Sequence, residues 1–60
     1  MSLTLSPNIP DPDGFYETLI NAHECLTKDE SDALNARLIL ILANHIGDRA
    51  VLAAALKAAR

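Results

Sequence analysis

The sequence predicts an all-α fold in which three short helices follow an extended N-terminal arm and pair, as antiparallel hairpins, into a six-helix homodimer. Helix-start residues precede each of three segments that have helical apolar spacing. The second segment also carries six consecutive apolar residues at 38–43, in a chain of 60 residues that is 50% apolar. Because a chain this short has few other residues that could cover the apolar run, we expect it to self-associate. The predicted organisation is an arm over residues 1–10 and a single three-helix domain over 11–60.

The arm has a composition that excludes a regular helix. Pro7 and Pro10 fix the backbone and remove two N–H donors. Leu3 and Leu5 alternate in a way that places them on one side of an extended segment. We expect the arm either to lie along the helices, to pair with another chain, or to fray as termini commonly do.

The first helix is predicted over residues 12–26. Asp11 can accept a hydrogen bond from a first-turn N–H, and Pro12 has the backbone geometry of the first helical position. Gly14 weakens the first turn by about 1 kcal/mol relative to alanine. Either close packing requires a glycine at this position, or its presence has no structural reason. The apolar face consists of side chains at helical spacing: Phe15, Leu19, Ala22 and Leu26, with Tyr16, Ile20 and His23 beside them.

The second helix is predicted over residues 28–46. Thr27 and Glu30 have capping-box spacing, because each side chain can bond the backbone N–H of the other residue. The apolar run is also compatible with a strand, but the capping box before it and Gly47 after it favour a helix. The short connection at Thr27 predicts that the first two helices are antiparallel neighbours.

The third helix is predicted over residues 49–60. Asp48 is its expected N-cap, and the corner that precedes it is Gly47-Asp48. Alanine occupies half of its positions and makes it a strong helix former with little side-chain bulk. Two such thin helices cannot cover every side of the second helix.

The uncovered side of the second helix predicts the homodimer interface. Burying one leucine or isoleucine contributes about 1.5 to 3 kcal/mol, so an exposed apolar stripe favours self-association strongly. A socket for a larger protein is the rival interpretation. The expected interface residues all lie on the second helix: Leu34, Leu38, Ile39, Leu40, Ile41, Leu42 and Ile46.

Charge and cysteine content limit the possible partners. Residues 1–32 hold seven acidic residues against one lysine, a net charge of −6, and residues 33–60 hold four basic residues against one acid, a net charge of +3. Helix-dipole complementation accounts for such a distribution, and an antiparallel arrangement of chains is the alternative. No basic cluster with stacking aromatics is present, so nucleic acid is not an expected partner. The single cysteine, Cys25, and the absence of a signal peptide or membrane-length apolar run favour a cytoplasmic protein without a membrane partner.

The sequence contains no catalytic, metal-binding or cofactor-binding signature, but it does offer one candidate polar site. Its candidate residues are Tyr16, His23, Arg37 and His45. In the expected hairpin His23 is level with Ser31, roughly 20 Å from His45. Across a dimer axis near Ile39 or Leu40, however, the His45 of one chain approaches the His23 of the other. Arg37 is expected either to snorkel to the surface or to pair with Glu17 or Asp32. Cys25 is expected to be an inert, semi-buried thiol.

Two segments resemble a known family. They are residues 11–16, DPDGFY, and residues 36–48, ARLILILANHIGD. Together they resemble a family of short bacterial proteins catalogued only as a domain of unknown function. The resemblance implies no catalytic residues; it implies relatives encoded near flavin-dependent oxidoreductases of aromatic catabolism, and so a flavin-dependent oxidoreductase as a partner.

The expected function is that of a small, non-enzymatic, homodimeric interaction protein, an accessory subunit of a metabolic enzyme. The alternative is a small-molecule or metal binder that uses an intersubunit site. An enzyme ranks third, because catalysis needs positioned acid, base or nucleophilic groups in a cleft.

Overall fold

The computed structural model describes residues 3–60, and these form three α-helices and no strand. The helices are α1 (Pro12–Ala22), α2 (Lys28–Ile46) and α3 (Arg49–Ala58). The predicted all-α class and the number of helices are confirmed. The predicted arm begins at Met1 and Ser2, which lie outside the described residues, and residues 3–10 form neither helix nor strand.

Each helix begins at the side chain that the sequence predicted as its N-cap. Asp11 Oδ1 accepts a 3.2 Å hydrogen bond from the Gly14 N–H. Thr27 Oγ1 accepts from the Glu30 N–H at 3.2 Å, and the Thr27 N–H donates to Glu30 Oε1 at 2.9 Å, which completes the capping box. Asp48 Oδ1 accepts two N–H groups of the first turn of α3. These bonds satisfy backbone donors that no helical carbonyl reaches.

Gly47 ends α2 in the left-handed conformation that the sequence predicted. Its φ is 69°, and its N–H donates to the Ala43 carbonyl at 3.0 Å. Glycine adopts this conformation without the steric cost of a Cβ. A single residue therefore separates the end of α2 from the N-cap of α3.

The predicted ends of α1 and α3 were wrong. α1 ends at Ala22 rather than Leu26, because the chain turns through His23 to Cys25, where φ is 65°. A helix that continued to Leu26 would leave no residue for the change of direction before the Thr27 cap. α3 ends at Ala58 rather than Arg60, and Ala59 is its C-cap, whose N–H donates to the Ala55 carbonyl.

The three helices pack loosely. α2 and α3 approach within 8 Å, Cα to Cα, whereas α1 stays farther from α2. The radius of gyration is 13.3 Å, compared with about 10 Å for a compact domain of this length. None of residues 3–60 is buried. The single chain therefore has apolar faces turned toward one another but no closed core.

No helix within residues 3–60 combines the length and the apolar character that crossing a membrane requires.

Candidate interaction surface

Leu42 lies at the centre of a continuous apolar surface. Its side chain lines two neighbouring grooves, one between α2 and α3 and the other between α1 and α2. Leu42 is nonetheless half-exposed, with 50% of its surface accessible. We call the side chains that line the two grooves the Leu42 surface.

The α2/α3 groove has a volume of about 450 Å³. It follows from helical spacing, because residues three and four apart on each helix face the neighbouring helix. Every side chain that lines it is aliphatic: Ile39, Leu42, Ala43, Ile46, Leu52, Ala55, Leu56 and Ala59. The groove thus offers shape and apolar area but no polar side chain.

The α1/α2 groove has a volume of about 250 Å³. It holds the face that the sequence predicted for the first helix, except Leu26, which lies beyond the end of α1, together with the first half of the predicted interface. Its lining consists of Phe15, Thr18, Leu19, Ala22, Leu34, Leu38 and Leu42. Because α1 stands away from α2, this groove remains open.

The predicted interface residues do not all belong to the Leu42 surface. Leu34 and Leu38 line the α1/α2 groove, and Ile39 and Ile46 line the α2/α3 groove. Leu40 and Ile41 line neither. Leu40 is 70% exposed and lies about 160° around the helix from Leu42, because successive residues are about 100° apart. Leu40 therefore belongs to a different face of α2.

The exposed area exceeds that of a typical folded monomer. The chain exposes 5467 Å², whereas a monomer of this length exposes about 3,800 Å². The excess of roughly 1,600 Å² is about twice the area that one partner buries in a standard protein interface. Part of it belongs to the extended arm, and the rest lies on the helices.

His23 connects the end of α1 to α2. Its ring Nδ1 lies 2.9 Å from the Leu19 carbonyl oxygen, and Nε2 lies 2.9 Å from Asn35 Oδ1. Two oxygen acceptors favour the doubly protonated ring. The Leu19 carbonyl, and to a smaller extent the Asn35 side chain, therefore raises the pKa of His23.

The register of this contact differs from the prediction, which placed His23 level with Ser31 rather than Asn35. Asn35 was missed as a functional partner. The sequence did contain a signal for it: around the axis of α2, Asn35 lies between Leu42 and Ile46, so it is a polar residue on an apolar face.

The other predicted polar residues are not joined to His23 by hydrogen bonds. Tyr16, Arg37 and His45 are all exposed. Within residues 3–60 the single ion pair joins Lys28 and Asp32 at 2.8 Å, so the predicted pairing of Arg37 with Glu17 or Asp32 is wrong. Asp32 lies one helical turn from Lys28, which reaches it without crossing between helices.

Across residues 3–60, no three His, Cys, Asp or Glu side chains are placed to hold a metal ion together. Cys25 is exposed at the turn after α1, so the predicted semi-buried position of its thiol was wrong.

The fold and the Leu42 surface define a small three-helix protein with an open apolar face. A family model described as "Protein of unknown function (DUF2783)" matches residues 3–60. The chain belongs to this family, which confirms the resemblance to a short domain of unknown function. Comparison with curated proteins gave no match, and comparison with solved structures gave none.

Proposed function

We propose that this chain is a non-enzymatic helical interaction protein that works as a homodimer through the Leu42 surface. The observation that carries the proposal is an accessible area of 5467 Å² in a chain of which no described residue is buried. The exposed side chains include many large apolar ones, and covering them is the main favourable free energy that association offers. A second copy supplies the same aliphatic chemistry, and two-fold pairing closes the assembly.

In the proposed dimer, the α2 helices of the two copies run antiparallel and cross near Ile39 and Leu42. Helix-to-helix packing suits the α2/α3 groove because a helix satisfies its own backbone hydrogen bonds. An extended peptide would leave its N–H and carbonyl groups facing aliphatic side chains. The outcome is the six-helix assembly of antiparallel hairpins that the sequence predicts.

The small-molecule and metal alternatives have weaker support. Ligand sites usually contain a few polar groups that orient the ligand, and the side chains that line the α2/α3 groove include none. A metal at the proposed polar site would have to displace the Leu19 carbonyl or Asn35 from the ring of His23. Partner-protein binding therefore accounts better for the surface.

We extend the proposal to an accessory role beside a metabolic enzyme, with a flavin-dependent oxidoreductase as the partner class. This step rests on the family resemblance and not on any side-chain arrangement. Its test is reconstitution of the dimer with such an enzyme, measured by comigration in size-exclusion chromatography. The dimer itself is tested separately.

The dimer test compares Leu42→Asp with Leu40→Asp, using solution mass from light scattering over a range of concentrations. Both leucines are exposed on the same helix, but Leu40 lies outside the Leu42 surface. We expect a dimeric wild type. Leu42→Asp should weaken dimerisation roughly ten- to hundredfold through the lost leucine burial alone, while Leu40→Asp should leave the mass unchanged.

Leu56→Asp provides a second variant if Leu42→Asp fails to fold, as judged by circular dichroism. Leu56 is 69% exposed and lines the α2/α3 groove, so its substitution removes little contact within the chain. A monomeric wild type would overturn the proposed dimer. Dissociation by Leu40→Asp, with Leu42→Asp remaining dimeric, would place the interface on the opposite face of α2.

A further inference from the structure

We infer that, in the dimer, α1 of each copy lies antiparallel against α3 of the other copy, with an acidic row on α1 facing a basic row on α3. The inference rests on the proposed homodimer and specifies its topology. It makes charge pairing between the copies the feature that selects the partner and sets the register.

The α1 region is acidic, and His23, whose ring is bonded to Leu19 and Asn35, is the one side chain in residues 11–27 that can carry a positive charge. Residues 11–27 contain no lysine or arginine. Within residues 3–60 the single ion pair lies elsewhere, between Lys28 and Asp32. The outer face of α1 also exposes Tyr16 and Ile20, which line neither groove. The α1 region thus presents apolar area beside negative charge.

The α3 region has the complementary character. Residues 49–60 contain three basic residues and no acidic one. Leu56 is 69% exposed beside them. The apolar area and positive charge of the α3 region complement the apolar area and negative charge of the α1 region.

Helix-dipole complementation accounts for Asp13 in the first turn of α1 and Lys57 in the last turn of α3, but not for the charges at the other ends of these helices. Glu24 follows the C-terminus of α1, where the dipole disfavours an acid, and Arg49 is the first residue of α3, where it disfavours a base. Both residues have the sign opposite to the one that would stabilise their own helix. A contact outside the helix explains why these charges are placed there.

The spacing of the two rows matches for antiparallel helices. Asp11 is occupied as the N-cap of α1; the other acids span eleven residue steps from Asp13 to Glu24, and the bases span eleven from Arg49 to Arg60. In antiparallel order the pairs are Asp13 with Arg60, Glu17 with Lys57, and Glu24 with Arg49. The residue numbers within each pair add to 73 or 74, as a single antiparallel register requires.

The position of α1 on α2 gives the same register. The His23–Asn35 contact places the end of α1 beside the first half of α2. With the two-fold axis between Ile39 and Leu42, the second copy's α2 ends at the level of Asn35, because the axis relates residues symmetrically. The second copy's α3 therefore begins beside the end of α1, where Glu24 lies.

Charge in this arrangement contributes selectivity more than affinity. An exposed ion pair adds little to stability, whereas like charges brought together oppose association strongly. The Leu42 surface supplies the free energy of association. The charged rows exclude the wrong orientation.

The test is a charge exchange between two variants, mixed in equal amounts at low ionic strength and measured by native mass spectrometry. One variant carries Glu17→Lys and Glu24→Lys, and the other carries Arg49→Glu and Lys57→Glu. Glu24→Lys places a base at the C-terminus of α1, and Arg49→Glu places an acid at the N-terminus of α3; both changes are favourable for the dipole of their own helix. Weaker dimerisation caused by either substitution therefore cannot result from a destabilised helix end. Each variant alone should dimerise at least about tenfold more weakly than the wild type.

Mixing the two variants should restore dimers that contain one copy of each, well above the half that random pairing gives. Arg37→Glu is the control: it reverses a single basic residue, on α2 rather than α3, and should show no preference for the lysine variant. Random pairing of the two charge variants would overturn the α1–α3 contact while leaving the dimer intact. A monomeric wild type would instead overturn the proposed dimer itself.

Discussion

At the first turn of α1, the side chain of Asp11 occupies the space beside Gly14 that a methyl group would need. A Cβ on Gly14 would overlap the Asp11 carboxylate that accepts the Gly14 N–H. The sequence showed a glycine that weakens the helix, and the structure gives the physical reason. Asp11 itself has a φ of 48°, which an aspartate adopts more readily than most residues.

This arrangement predicts that substitutions of Asp11 and Gly14 are not additive. Gly14→Ala gains about 1 kcal/mol of helix propensity but loses the cap, which contributes a similar amount, so its net effect should be small. Asp11→Gly removes the carboxylate and keeps a residue that tolerates positive φ. In that background Gly14→Ala should stabilise by about 1 kcal/mol.

A double-mutant cycle of urea unfolding at fixed protein concentration measures the difference. The two values for Gly14→Ala should differ by about 1 kcal/mol. Agreement within roughly 0.3 kcal/mol would mean that the sites are independent and that the close approach has no energetic effect.

Single-residue features of this kind could be predicted from the sequence. The Asp11, Thr27 and Asp48 caps and the left-handed Gly47 depend on groups no more than four residues apart. A short side chain and a nearby N–H determine the outcome. Distant parts of the chain have little influence on it.

Between elements, the junction of α1 with α2 depends on a contact twelve residues apart in the sequence. The His23 ring bonds Leu19 within its own helix and Asn35 on the next. The helical spacing of apolar residues predicts neither the turn at Cys25 nor that His23 contacts Asn35 instead of lying level with Ser31. This is why the predictions of the end of α1 and of the register of His23 were wrong, although the prediction of both helices was confirmed.

The same contact predicts a pH dependence. The raised pKa of His23 means that the folded chain holds a proton at pH values where the unfolded chain, with a pKa of about 6.5, has lost it. The stabilisation is complete below about pH 6.5 and is lost as pH rises through the folded value. The junction of α1 with α2 should therefore be more stable at pH 6 than at pH 8.

An NMR titration of the His23 ring protons gives the pKa directly. Asn35→Ala should lower it relative to the wild type, and Asn35→Asp should raise it further because a carboxylate attracts the imidazolium. In His23→Gln the pH dependence that this junction contributes should disappear. A wild-type value at or below that of an unstructured peptide would contradict the hydrogen-bonding pattern.

For the whole molecule, the sequence predicted an excess of apolar surface but not its shape. The apolar run at 38–43 predicted an uncovered apolar side on the second helix. It gave no reason to distinguish Leu40 from Leu42, and both were assigned to the interface. The positions of α1 and α3 distinguish them, since both grooves meet at Leu42 and neither includes Leu40. Where a groove opens depends on how two helices lean on a third, which local sequence does not determine.

A chain with no buried described residue and a radius of gyration of 13.3 Å should depend on association for much of its stability. The free energy of a folded dimer depends on protomer concentration, so the midpoint of thermal unfolding should rise with concentration. A tenfold increase contributes about 1.4 kcal/mol per dimer. For two chains of this length that corresponds to an increase of about 5 °C.

Circular dichroism melts of the wild type and of Leu42→Asp, each over a hundredfold range of concentration, measure this dependence. The wild-type midpoint should rise by about 10 °C across the range. The Leu42→Asp midpoint should be lower and, once the variant is monomeric, independent of concentration, whereas Leu40→Asp should follow the wild type. A wild-type midpoint that stays constant would mean that the three helices fold without a second copy, and that the Leu42 surface is not what stabilises them.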